Sequence, residues 1–146
     1  MSYLLDVNVL IARSDPNHAN HALVLDWFRS IGNKLIATCP IVENGFVRIF
    51  GNPNYVGGPG SVAKAMQNLK LIRSLPQHCF IEDYLSIDDS KVYINMSEVS
   101  CKQLTDVYLL GIAKEKGLKL ATLDSRIRTQ TVAGGSAALE VIGAKR

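Results

Sequence analysis

The stretch Tyr3-Leu4-Leu5-Asp6-Val7-Asn8-Val9-Leu10-Ile11-Ala12 constrains the fold more than any other in the chain. Three apolar residues run straight into a carboxylate, and a second apolar run follows at once. The first run is too short for a helix and too continuous for a half-exposed strand. It therefore reads as a buried strand of a parallel sheet. In open α/β sheets the ligand site lies just beyond the carboxyl ends of the strands. Asp6 stands at such an end, where a charged group is costly unless something pairs with it.

The rest of the chain supplies more elements of the same kind. Arg13-Ser14-Asp15-Pro16-Asn17 is a turn signal, with Ser14 or Asp15 as cap and Pro16 near the first helical position. A helix is expected from Asn17 to Ile31, with Ala19, Leu23, Trp27 and Ile31 as its apolar stripe. Lys34–Thr38 reads as a second strand, and Pro40 opens a helix from Ile41 to Phe50. A loop of turn formers covers residues 51–60. Ser61 caps a helix reaching Leu75, and Pro76 stops it. Cys79–Ile81 is a third strand, and one helix is expected within Leu85–Met96, after Asp88 or Asp89. Ser100-x-x-Gln103 has the form of a capping box. It opens the most apolar helix, Cys101–Lys116, which Gly117 ends. Lys119–Asp124 and Leu139–Ile142 complete the strands. Strands alternating with helices predict a three-layer α/β/α sandwich with a mostly parallel sheet of four or five strands.

Composition bounds the rest. With 146 residues, 47% of them hydrophobic, the chain suits one domain, 1–146, around one core. No apolar run approaches the ~20 residues that span a bilayer. Met1-Ser2-Tyr3 is not the basic start of a signal peptide. A cytoplasmic protein without a membrane partner is expected. The net charge of +3 permits a polyanionic partner without demanding one. Cys39, Cys79 and Cys101 include no Cys-x-x-Cys, so neither a disulfide framework nor a zinc site is indicated. They are expected as reduced, mostly buried thiols.

Four acids stand out. Asp6 and Asp124 each follow an apolar strand and would emerge at one sheet edge. Asp106 lies in an apolar helix, in what the capping box makes its second turn. Glu43 lies in the first turn of the helix that Pro40 opens. Each has a structural alternative. Asp6 or Asp124 could start a turn or cap a helix, Glu43 could complement a helix dipole, and Asp106 could pair with a Lys or Arg. Together they can converge on one cleft, where close carboxylates repel and a pKa rises. A divalent cation removes that conflict. Mg²⁺ takes hard oxygen ligands and needs only one or two direct carboxylates. Two such ions about 3.5–4 Å apart suit in-line attack on a phosphodiester.

The four motifs in their order resemble PIN-domain proteins, and more narrowly the VapC-type toxin ribonucleases of toxin–antitoxin pairs. They are Leu5–Ala12, Cys39–Arg48, Leu104–Leu109 and Ala121–Asp124. The resemblance implies that Asp6, Glu43, Asp106 and Asp124 form the acidic site. Asp6 and Asp106 would be the main metal ligands, with Glu43 and Asp124 acting directly or through water. Asn8 and Thr105 would support them. It further implies a Mg²⁺- or Mn²⁺-dependent endoribonuclease, a homodimer, an RNA substrate and a cognate antitoxin.

A receiver-type phosphoacceptor domain also uses strand-end acids and Mg²⁺. It needs an adjacent acidic pair after the first strand, and here Val7 follows Asp6. A catalytically silent PIN-like module for binding RNA or protein is the other alternative, against which stand all four acids. Among the basic residues, Arg48, Arg126 and Arg128 are the candidate phosphate contacts. Tyr55 is a candidate for base stacking, whereas Trp27 is expected in the core. His18 and His21 lack a third ligand nearby and are read as structural. Gly57-Gly58-Pro59-Gly60-Ser61 lacks the Lys of a P-loop and is expected as a mobile loop at the substrate or partner edge.

Overall fold

Tyr3, Leu4 and Leu5 are buried, and they form the central strand of the sheet. The computed structural model describes residues 1–144. Among them, the strands are β1 (Tyr3–Leu5), β2 (Ile36–Thr38), β3 (His78–Phe80), β4 (Lys119–Thr122) and β5 (Leu139–Val141). All pairings are parallel, in the order β3-β2-β1-β4-β5. The helices are α1 (Val7–Ser14), α2 (His21–Ile31), α3 (Pro40–Phe50), α4 (Val62–Arg73) and α5 (Leu104–Glu115). On one face α1 packs against α2 and α3, and α3 against α4. On the other, α5 packs on β4 and β1 together with short turns at 129–131 and 135–138. The expected three-layer α/β/α sandwich forms, with five strands. No helix among the described residues is long and apolar enough to cross a membrane.

Local chemistry explains the helix boundaries. Asp6 has extended backbone, and its Oδ1 accepts the Val7 N–H at 2.7 Å, so it caps α1. The second apolar run of the opening stretch is therefore a helix, with Val9 to Ala12 buried. Pro40 occupies the first turn of α3, where a missing N–H costs nothing. The Ser61 hydroxyl accepts the Lys64 N–H at 3.2 Å and caps α4. Gly117, at φ +70°, ends α5 in the left-handed conformation that a side chain would disfavour.

Several expectations need correction. Helix α2 begins at His21 rather than Asn17, because residues 15–20 are spent on turns closed by Asp15 and His18. Its buried positions are Val24, Phe28 and Ile31, while Leu23 is exposed. Trp27 is half-buried against Tyr3, edge to face at 4.9 Å. Helix α5 begins three residues late, at Leu104. Ser100 and Gln103 instead close a turn, through the Gln103 N–H to the Ser100 carbonyl and the Ser100 N–H to Gln103 Oε1. Asp106 thus sits in the first turn, not the second.

The expected helix within Leu85–Met96 does not form; a single 3-10 turn follows at Met96–Glu98. The segment 85–96 is draped over α5, where the Tyr93 hydroxyl donates to the Tyr108 carbonyl (2.6 Å) and the Tyr108 hydroxyl to the Leu85 carbonyl (2.8 Å). Gly111 makes room for this, since a Cβ there would overlap the Tyr93 ring. Of the three thiols only Cys39 is buried; Cys79 is partly exposed and Cys101 exposed.

Candidate active site

The strand order reverses between β1 and β4, and a crevice at the carboxyl ends of such a pair is where open α/β sheets bind ligands. Asp6 follows β1 directly and Asp124 follows β4 by two residues. The two are joined through Thr122, the buried last residue of β4. Its hydroxyl donates to Asp6 Oδ2 at 2.7 Å. It accepts from Asn8 Nδ2 at 3.2 Å and from the Asp124 N–H at 3.1 Å. One donor and two acceptor sites exhaust what a hydroxyl can do. Asn8 completes the clamp, its Oδ1 accepting the Leu123 N–H at 3.2 Å. A supporting role for Asn8 thus has a concrete form: it locks the turn after β4 to the first turn of α1.

Asp106 approaches from α5, and it feels the charges of the pair. Burial pushes its carboxyl up to about 6, and the charges of Asp6 and Asp124 push the same way, opposed in part by Arg126. Among the described residues its carboxylate accepts no hydrogen bond. Burial likewise raises the Asp6 carboxyl. The Thr122 and Val7 hydrogen bonds partly offset this, and the Asp124 charge adds to it. Asp124 is held low, chiefly by the Arg126 N–H, which it accepts at 2.9 Å, and by the Arg126 side chain at 3.1 Å. A cavity of about 270 Å³ is lined by Asp106 and Asp124 together with Lys102, Gln103, Arg126 and Arg128. Two of the three arginines expected as phosphate contacts, Arg126 and Arg128, therefore line the same cavity as the acids. Lys102 joins them.

The other site candidates stand elsewhere. Glu43 is at the carboxyl end of β2, in the first turn of α3. Its Oε2 accepts the Thr38 hydroxyl at 2.6 Å and is paired with Arg73. The Thr38 oxygen has spent its only proton on Glu43, so it accepts from His78 Nε2–H at 2.7 Å. Burial and the Arg73 charge depress the His78 pKa, opposed by Glu43. Three acids are thus brought together, and the fourth is already neutralised by a cation of its own. Thr105 lines a separate, largely apolar cavity of about 390 Å³ with Ile41, Asp83, Leu85, Ile87 and Tyr108. Arg48 is exposed in the last turn of α3, beside Asn52 and Asn54.

Tyr55 is no free stacking surface. Its hydroxyl donates to the buried Asp15 at 2.7 Å and its ring packs on Phe50. That contact fixes the 51–60 loop to the carboxyl-terminal ends of α1 and α3, away from the acids. His21 Nδ1 donates to the Ala12 carbonyl and His18 Nδ1 accepts the Asn20 N–H, both structural tasks.

Thr38, Thr122, Arg73 and His78 were not singled out in the sequence. The signal was present for the threonines: each is the one polar residue ending an apolar strand that leads to an acid.

The donor chemistry suits a hard divalent cation. Asp106 accepts no hydrogen bond on its carboxylate among the described residues, and both it and Asp6 titrate high, chiefly through burial and then through neighbouring acid charge. Among the described residues no three acidic, histidine or cysteine side chains enclose a metal position. Mg²⁺, which keeps several waters, needs only one or two direct carboxylates, and Asp6 with Asp106 provides two.

No family model matches the chain. Curated relatives do. Ribonuclease VapC38 of Mycobacterium tuberculosis is 36% identical over 126 residues, 86% of this chain and 87% of that protein. Ribonuclease VapC44 of the same organism is 38% identical over 136 residues, 93% and 95% of the two chains. Ribonuclease VapC39 is 34% identical over 134 residues, 92% and 96%. The crystal structure of Mycobacterium tuberculosis VapC20, described as a sarcin-ricin loop cleaving toxin, matches with a TM-score of 0.64. At 11% identity over 90% of this chain and 96% of that one, it shares the fold.

Proposed function

The chain belongs to the VapC ribonucleases, the PIN-domain toxins of toxin–antitoxin pairs, and from that premise we propose that Asp6, Asp106 and Asp124 carry a divalent-cation-dependent hydrolysis of RNA. As a member of that family it is an endoribonuclease of toxin type, with RNA as substrate and an antitoxin protein as partner. The observation that supports the site is the gathering of these three acids at the β1/β4 crevice, with Asp6 and Asp106 raised in pKa by burial and by neighbouring acid charge.

Mg²⁺ or Mn²⁺ held by Asp6 and Asp106 would lower the pKa of a bound water and offset charge building on the phosphate. The residues of the chain do the rest. Val7 N–H and Thr122 fix both oxygens of Asp6, leaving each a further lone pair. Asp106 offers a carboxylate with no competing donor. Asp124, kept ionised by Arg126, is placed to hold water at the same edge. Arg128 and Lys102, across the cavity, supply positive charge for the RNA backbone, and Arg126 shares that task with its hold on Asp124. Glu43 acts at one remove, positioned by Arg73 and Thr38. The proposed working assembly is a homodimer, and sedimentation of the purified chain as a monomer would overturn that part.

The test is RNA cleavage by the purified protein with Mg²⁺, with EDTA, and with Asp106→Asn in place of the parent. Cleavage is expected only in the first case. Equal cleavage by parent and variant, with contaminating nuclease excluded, would sink the assignment.

A further inference from the structure

We propose that Phe80 and Arg73 form a stacking platform for one unpaired base of the RNA strand, a proposal that rests on the ribonuclease reading above. Phe80 ends the edge strand β3, and the residue is 44% exposed. The Arg73 guanidinium lies over that ring, 4.9 Å from its centre. The same guanidinium is paired with Glu43, which sets the orientation of its plane. Two flat groups are therefore held in place before any ligand arrives.

The chemistry favours a base over a phosphate. The Arg73 charge is already matched by Glu43, so it is a poor anion site, whereas the π surface beside it is open. Single-stranded RNA is recognised largely by stacking bases on aromatic rings and guanidinium planes. A protein-binding patch would continue as apolar surface. Here the neighbour held over the ring is the Arg73 guanidinium, itself paired with Glu43.

The location is right as well. Phe80 pairs in register with Thr38 on β2, and β2 adjoins β1. The following segment crosses the start of α3, where Asp83 Oδ2 accepts the Ile41 N–H at 3.0 Å. Phe80 thus shares the carboxyl edge with Asp6, roughly 10 Å away by two strand spacings. One continuous strand of RNA can reach both.

The experiment uses full-length protein carrying Asp6→Asn, which keeps a good helix cap and binds RNA without cutting it. Short single-stranded RNAs carry 2-aminopurine at successive positions. Quenching is expected at one position near the cleavage point, and adding Phe80→Ala should abolish it and weaken binding about tenfold. The slope of affinity against salt should not change, because no charge is removed. An abasic nucleotide at that position should make Phe80→Ala silent, and Phe80→Trp should retain the quench. The same affinity and quench after Phe80→Ala, in a variant with parental unfolding temperature, would overturn the platform alone. So would an effect of Phe80→Ala confined to self-association or to a protein partner. No RNA binding by Asp6→Asn together with no cleavage by the parent would overturn the ribonuclease reading and the platform with it.

Discussion

The Thr122 hydroxyl donates to Asp6 Oδ2 at 2.7 Å, joining residues 116 positions apart in the chain. Through the same oxygen Asn8 and the Asp124 backbone are bound in. Replacing Thr122 by Val keeps the volume and removes all three bonds. Asp6 then loses a donor in a buried place, so its pKa rises further. The expected cost is about 1–3 kcal/mol of stability and about 10–100-fold in cleavage rate, the usual effect of losing a group that orients a metal ligand. Thr122→Ser should restore most of both. Thermal unfolding and single-turnover cleavage of the three proteins check it.

Asp106 gives a prediction whose sign is unusual. Its folded pKa, about 6, lies above its ordinary value of 3.8. The folded state therefore binds more protons than the unfolded state between those values, and stability falls as pH rises from about 4 to 6. Asp106→Asn removes that penalty. At pH 7 the variant should be more stable than the parent, by on the order of 1 kcal/mol after solvent screening. Below pH 4 the two should converge. Unfolding temperatures across pH 3–8, without divalent ions, test this directly.

Added Mg²⁺ or Mn²⁺ should reverse that order. A cation that binds only the folded state stabilises it by about 2.7 kcal/mol at one hundred times its dissociation constant. The parent's unfolding temperature should rise with millimolar cation, and EDTA should cancel the rise. Asp106→Asn should show little response. A parent indifferent to both ions would remove Asp6 and Asp106 as ligands.

Glu43 should behave differently from the other acids. Its carboxylate is matched by Arg73, whose side chain is 40% exposed. A double-mutant cycle of Glu43→Gln with Arg73→Ala should give a coupling of about 0.5–1 kcal/mol in stability. Glu43→Gln should also lower cleavage less than Asp106→Asn does. Equal losses would place Glu43 with the three acids.

Tyr55→Phe separates structure from catalysis. Loss of the hydroxyl leaves Asp15 short of a donor, at about 1 kcal/mol. Cleavage by the folded variant should be unchanged, because the residue lies at the far end of α1 and α3.

The strands and their acids were legible because a buried parallel strand announces itself as an unbroken apolar run. Pro40, Ser61 and Gly117 likewise announce helix ends through backbone chemistry that needs no distant partner. What was hidden depends on such partners. Val7–Ala12 is rich in β-branched and apolar residues, and its packing against α2 and α3 settles it as a helix. Tyr93 and Tyr108 hold 85–96 against α5, and nothing local forecasts that. The acids themselves stood out singly, but the sequence could not show that Arg73 claims Glu43, since the two are 30 residues apart and on different helices. Nor could it show that one threonine would join two strand ends.

Strand order has a consequence for how the protein is made. β1 is synthesised first, yet it sits between β2 and β4, and Asp6 meets Thr122 only when the last fifth of the chain arrives. Chains emerge from the ribosome amino end first and fold as segments become available. A nascent or truncated chain that stops before β4 holds Asp6 and Glu43 but neither Asp106's helix packed on β4 nor Asp124. The three-acid cluster is thus assembled only once β4 has joined the sheet beside β1.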